Sequence, residues 1–138
     1  GVDRYSDVSV FELEAAATVS KTPRVVAEMG RLLGELCERE VGEEELERAK
    51  RRHAMALEFA LDSTTELCSW YGSGALFGQK EDFAARRARV AAVTPADVLR
   101  VARATFRPDN LHLTYVGPDA RPVRRQLERW VDEPSGLR

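Results

Sequence analysis

Histidine and cysteine are scarce in this chain. His53 and His112 are its only imidazoles, and Cys37 and Cys68 its only thiols. Two cysteines exclude the dense disulfide framework of a small secreted scaffold. Both sit in helical patterns with apolar neighbours and read as reduced core thiols. An excess of either charge is also missing, since 21 Lys and Arg face 23 Asp and Glu for a net charge of −2. That balance gives no general attraction to nucleic acid or to an anionic membrane. No stretch approaches the ~20 apolar residues of a membrane span, and no secretory signal pattern opens the chain, which begins at Gly1 without a methionine. The compartment stays open. Repeats and low-complexity segments are absent as well. What is present, 138 residues with 43% hydrophobic and 32% charged, is the composition of one globular domain or a piece of one. The boundaries expected are a single partial domain over residues 1–138 with a polar tail at 133–138.

The chain is organised around Val41-Gly42-Glu43-Glu44-Glu45-Leu46-Glu47-Arg48-Ala49-Lys50. Gly42 is expected to end one helix in a left-handed conformation, and the glutamates behind it place negative charge at the positive end of the next helix dipole. Glu44 with Arg48, and Glu47 with Arg51, stand at i,i+4 in the favourable acid-first order. Leu46, Ala49, His53, Ala56, Leu57 and Ala60 fall on the opposite side at helical spacing and are expected inside.

On either side of this stretch the pattern alternates between strand and helix. Residues 7–19 alternate with period two through Ser9, Phe11, Leu13, Ala15 and Ala17, which predicts a strand, although Glu-Leu-Glu-Ala-Ala-Ala has high helix propensity. Thr22-Pro23 is a cap followed by a proline at the first helical position, and Val25, Val26, Met29, Leu32, Leu33 and Leu36 make a wide apolar stripe behind it. Ser63-Thr64-Thr65-Glu66 has the spacing of a capping box and opens a further helix toward Gly78. Shorter helices are expected over residues 80–90, from Thr94-Pro95 to Phe106, and from about Asp119 to Val131. Leu111 to Val116 alternates again as a second strand, closed by Gly117-Pro118.

Two strands separated by about ninety residues of helix do not make a stable sheet, which usually needs three or more strands with a covered face. The remaining strands are expected from another chain or from sequence preceding Gly1, and the second source is favoured. Exposed edges recruit other chains, so the chain as it stands is expected to self-associate through residues 7–19 or the helices beside them.

Three segments in order carry a family resemblance: Gly42-Glu43-Glu44-Glu45-Leu46-Glu47-Arg48-Ala49-Lys50, then Val90-Ala91-Ala92-Val93-Thr94-Pro95-Ala96-Asp97-Val98, then Asn110-Leu111-His112-Leu113-Thr114-Tyr115-Val116-Gly117-Pro118. Together they resemble the pitrilysin/insulinase zinc metallopeptidases, which include the mitochondrial processing peptidases, over about Asp7 to Pro118. The resemblance implies an α+β domain, truncated at its N-terminus, with helices on one face of a mainly antiparallel sheet. It also implies a half-clamshell that pairs with a zinc-bearing half around an unfolded peptide substrate.

The zinc motif of that family needs two histidines four apart with a glutamate before the second. Neither His53 nor His112 stands in such a context, so no catalytic, metal or cofactor residue is assigned to this chain, and zinc is expected in the other half. On an apolar helical stripe His53 reads as a core or boundary histidine, and His112 as packed or solvated within its strand. Ser63, Ser69 and Ser73 lack a nucleophile elbow, and Tyr71-Gly72-Ser73-Gly74-Ala75 lacks the strand-turn-helix setting. The family's substrate-holding arginine and tyrosine are not carried onto the adjacent Arg4 and Tyr5. Arginines 86, 87, 89, 100, 103 and 107, and 121, 124, 125 and 129, read as solvated helix faces rather than an RNA surface. The function implied is a non-catalytic peptidase portion that completes the substrate chamber. The alternatives are a family-derived structural or assembly subunit without protease activity, and an unrelated helical interaction module.

Overall fold

The computed structural model describes residues 1–5, 7–78 and 82–134. Its elements are strands β1 (Val2–Arg4) and β2 (Ser9–Phe11), then helices α1 (Thr22–Glu38), α2 (Glu43–Leu61), α3 (Thr64–Leu76), α4 (Phe83–Ala91), α5 (Pro95–Thr105) and α6 (Arg121–Asp132). Short 3-10 turns occupy Val19–Lys21 and Pro108–Asn110. The chain divides into two compact units. One comprises Gly1–Arg4, Ser9–Glu40 and Ala96–Arg138, and the other comprises Tyr5–Val8 and Val41–Pro95.

The first unit contains the hairpin, α1, α6 and α5 from Ala96 onward. β1 and β2 pair antiparallel, with Val2 opposite Phe11, Asp3 opposite Val10 and Arg4 opposite Ser9. One further pair extends the ladder, since the Glu12 amide donates to the Gly1 carbonyl at 3.0 Å and the Gly1 ammonium to the Glu12 carbonyl at 2.7 Å. α1 begins at Thr22 with Pro23 in its first turn, but Lys21 and not the expected Thr22 stands at the N-cap, and the Thr22 hydroxyl donates back to the Thr18 carbonyl at 3.3 Å; the helix packs against α6. On α1 Val26, Gly30 and Gly34 are buried, a stripe at i,i+4 spacing. On α6 Leu127 is buried and Val123 and Trp130 are half-buried, the inward set expected from periodicity.

The end of α1 is held from a distance of sixty-odd residues. On α5 the Arg103 guanidinium donates through Nε to the Cys37 carbonyl at 2.7 Å and through a terminal nitrogen to the Glu38 carbonyl at 3.5 Å. Those carbonyls have no intrahelical donor, and a cation is favoured at that end of the dipole. Gly42 therefore has a different role from the one expected. Its φ of −63° and ψ of 143° are extended, and it serves as the N-cap of α2, its carbonyl accepting from the Leu46 amide at 3.0 Å. The helix it was expected to end has already stopped at Glu38, with Arg39 extended.

In the second unit α2 packs against both α3 and α4. The Ser63 hydroxyl caps α3 by accepting from the Glu66 amide at 3.3 Å, the half of the capping box that the sequence foretold. Asp82 caps α4 in the same way, its carboxylate accepting from the Ala85 amide at 2.7 Å. The helix expected over 80–90 thus begins at Phe83, and its first expected residue, Lys80, lies outside the described residues. Trp70 of α3 stacks on Phe83 with ring centroids 4.5 Å apart, and Tyr71 meets the same ring edge-on at 6.2 Å. Gly78, at φ 67°, takes the left-handed position after α3, which suits a residue without Cβ. On α2 the inward face is Leu46, Lys50, His53, Leu57 and Ala60, whereas Ala49 and Ala56 of the expected face are exposed. Cys68 is also exposed, against the expectation of a core thiol, while Cys37 is half-buried.

The expected α+β half-clamshell, with helices on one face of a mainly antiparallel sheet, is not the fold. Six α-helices and one hairpin of three-residue strands make up the regular structure of the described residues. Of the strand expected at 7–19 only Ser9–Phe11 is a strand, paired with the unanticipated β1 and prolonged by the Gly1–Glu12 pair, and Leu111 to Val116 belongs to no strand. A strand exists by pairing, and a stable sheet needs more strands than this chain supplies. The Glu-Leu-Glu-Ala-Ala-Ala run is also poor in the β-branched residues that fit a pleated surface.

Two outcomes test this account. Leu127→Ala, at a site 6% exposed, is expected to cost about 2–4 kcal/mol in urea denaturation, and Arg103→Ala about 1 kcal/mol through the uncapped end of α1. Val116→Ala, at a site 92% exposed, should stay within about 0.5 kcal/mol of the parent. A second test concerns Arg31, which sits between Glu28 and Glu35 on α1 at 2.6 Å from each. Its hydrogen bond holds the Glu28 carboxyl below its ordinary pKa. The folded value lies below the unfolded one, so this stabilisation is fully present above the unfolded pKa and is lost as pH falls through the folded one. An NMR titration should find Glu28 low in the parent and back in the ordinary carboxylate range in Arg31→Gln.

Candidate functional site

In the first unit two stretches lack a backbone partner. Among the described residues no backbone hydrogen bond joins residues 13–17 or 112–116 to another segment. Thr18 and Leu111, at the boundaries of these stretches, are extended. From Leu111 to Val116 exposure still alternates with period two, Leu111, Leu113 and Tyr115 being half-buried and His112, Thr114 and Val116 exposed. That is the phase of a strand with one covered face. The stretch closes where Tyr115 folds over Gly117 and donates from its hydroxyl to the Pro118 carbonyl at 3.2 Å. A Cβ at Gly117 would come within 2.7 Å of that hydroxyl, which gives the Val-Gly-Pro ending a physical reason.

Apolar side chains in this unit are also left uncovered. Val10 and Phe11 of β2 and Leu13 beyond it are all more than 40% exposed. Phe11 meets Phe106 edge-on at 4.9 Å between centroids. Nothing in periodicity alone revealed this surface, because alternation marks which face of a strand is apolar and not whether a neighbour exists to cover it.

The residues weighed for chemistry are scattered. His53 lies half-buried on α2 in the second unit, and His112 lies exposed in the 111–116 stretch of the first. No group of three or more His, Cys, Asp or Glu able to hold a metal occurs among the described residues. The described residues do not fit a zinc centre. Ser63 is occupied as a helix cap, and Ser69 and Ser73 lie on α3. Within Tyr71-Gly72-Ser73-Gly74-Ala75, Gly72 and Ser73 are exposed and the run is continuous helix. Arg4 ends β1 and Tyr5 opens the hairpin loop, where its amide donates to the Val8 carbonyl at 2.9 Å.

A second feature lies between α2 and α4 in the second unit. A groove of about 390 Å³ is lined by Glu47, Lys50, Arg51, His53, Ala54 and Leu57 from α2 and by Arg87, Ala88, Val90 and Ala91 from α4. Lys50 donates to Glu47 at 2.9 Å, so Glu47 pairs there rather than with the expected Arg51. Arg87 lies 3.5 Å from Glu58. His53 Nε2 is closed to solvent and has no hydrogen-bond partner. The sequence signal for this groove was limited to His53 interrupting an apolar stripe.

Compared with known proteins, the chain matches no family model, no curated protein and no solved structure.

Proposed function

We propose that the chain is a non-catalytic portion of a zinc-dependent metalloendopeptidase of the pitrilysin/insulinase kind. It pairs with a zinc-bearing half and completes the chamber in which an unfolded peptide is cut, and the metal and the general base belong to that other half. The observation that carries this reading is the 111–116 stretch, which keeps the exposure phase of a strand while its backbone has no partner. A buried backbone group without a partner is costly, whereas an exposed one is a template for strand addition. Residues 13–17 present a second such template in the same unit. Further support comes from the order of the three resemblance segments and from the local roles of their glycines. Gly42 caps α2 ahead of three glutamates, and Gly117 makes room for the Tyr115 hydroxyl.

The second reading is an assembly subunit that uses the same surface without hydrolysis, and the experiment separates the two. The chain is to be mixed with a polypeptide bearing His-x-x-Glu-His that is encoded upstream or in a neighbouring frame. On the peptidase reading a stoichiometric complex forms, amides 13–17 and 112–116 gain protection from hydrogen exchange, and chelator-sensitive peptide hydrolysis occurs only in the mixture. Complex formation without hydrolysis favours the assembly subunit, and no complex overturns both.

In isolation the same uncovered surface is expected to draw in a second copy. Sedimentation of the chain alone should then be concentration-dependent, and the chain mixed with the His-x-x-Glu-His polypeptide should no longer form its own dimer through this surface. A monomer in both, or an unchanged dimer in both, would refute this account of the surface.

A further inference from the structure

α2 carries a second face that the rest of its unit leaves uncovered. Leu46, Lys50, His53, Leu57 and Ala60 turn inward, and on the opposite side Arg48, Ala49, Arg52, Met55, Ala56 and Phe59 are all exposed, Met55 at 57% and Phe59 at 70%. Single exposed hydrophobics are ordinary, but these two stand at i,i+4 and form one apolar ridge. Beside the ridge lies a shallow dent of about 420 Å³, lined by α2 alone through Arg48, Ala49, Arg52, His53 and Ala56. Its alanines open the helix to close approach. Arg52 stands midway along the dent, two turns before Phe59. Charge is ordered on the same side of the helix, since Arg48 and Arg52 precede the ridge and Asp62, at the C-cap, follows it. Among the described residues none of these three has an ion-pair partner.

We propose that this face pairs with the same face of a second copy, the two α2 helices running antiparallel about a two-fold axis near Met55 and Ala56. A two-fold contact needs a patch that fits itself. Reversing α2 about that point brings Phe59 of one copy level with Arg52 of the other, over the dent, and symmetry repeats the contact. Met55 then lies against Ala56 of the second copy, a large side chain opposite a small one, as close helix packing requires. Asp62 comes level with Ala49, in reach of the unpaired Arg48 and Arg52, whose guanidiniums also flank the Phe59 ring. A parallel pairing in register would set each arginine against its own copy, where like charges repel. A foreign helix would need an aromatic side chain followed one turn later by an acid, and α2 itself carries both at that spacing. One helix face buries less than the roughly 800 Å² per partner of a standard interface, so the contact is transient and forms at high concentration. It shares no residue with the uncovered surface of the first unit.

NMR spectra of the whole chain over a concentration series test the pairing, because each surface has its own amides. Those of 48–62 are expected to respond to concentration, independently of those of 13–17 and 112–116. Phe59→Ser should weaken the 48–62 response at least about tenfold, and so should the double variant Arg48→Asp/Arg52→Asp and the single variant Asp62→Arg, each measured alone. Mixing the two charge variants sets acid against base at both ends of the pair, so the response should return in the mixture. The substitutions fall at exposed positions, and circular dichroism should find each variant folded; Met55→Ser serves in place of Phe59→Ser if that one is not. Amides 48–62 that ignore concentration, charge variants that associate like the parent, or a mixture no tighter than its components would overturn the inference. A response of those amides only on adding the His-x-x-Glu-His polypeptide would also overturn it, by giving the face to that partner.

Discussion

The structure depends on very little apolar burial. Among the described residues the buried hydrophobic side chains are Val26, Ala102 and Leu127 in the first unit and Leu46, Leu57 and Phe83 in the second. Among the described residues no large side chain falls below 2% exposure. With cores so small, backbone capping and charge placement carry an unusual share of the local order. Ser63, Asp82 and the Arg103 clasp on α1 meet helix-end groups that packing leaves bare.

The same scarcity explains why the first unit presents a surface rather than a closed site. Leu111 to Val116 covers one side of its backbone and leaves the other open, and Phe11 has a single aromatic neighbour. Strand pairing supplies both hydrogen bonds and a covered face, so a segment that has half of each is completed most simply by another strand. Among the described residues no group of three or more His, Cys, Asp or Glu gathers to hold a metal. The chain's two imidazoles belong to different units, and its acidic residues are distributed along helix surfaces in pairs such as Glu28–Arg31 and Glu47–Lys50.

The second unit behaves differently. Its aromatic cluster of Trp70, Tyr71 and Phe83 joins α3 to α4, and the groove between α2 and α4 combines an aliphatic floor with a cationic edge. Alanine at positions 54, 88 and 91 keeps that floor low.

All six helices were legible in the sequence, most of them at their first turn, because helix initiation is local. Thr22-Pro23, Ser63 with Glu66, and Pro95 act on groups within four residues of themselves, and the apolar stripes of α1 and α6 follow from a fixed 3.6-residue period. What sequence could not decide was anything requiring a partner remote in the chain. Exposure alternates at 111–116 but not at 7–18, which is exposed throughout, and since a strand is a pair, only the tertiary structure set β1 beside Ser9–Phe11, joined Gly1 to Glu12 and left residues 13–17 and 112–116 without a backbone partner. The end of α1 was misassigned to Gly42 because the group that holds it, Arg103, lies more than sixty residues away. His53 was placed on the right helix face by period alone. That its Nε2 lies buried without a hydrogen bond among the described residues depended on tertiary packing, which no local pattern encodes.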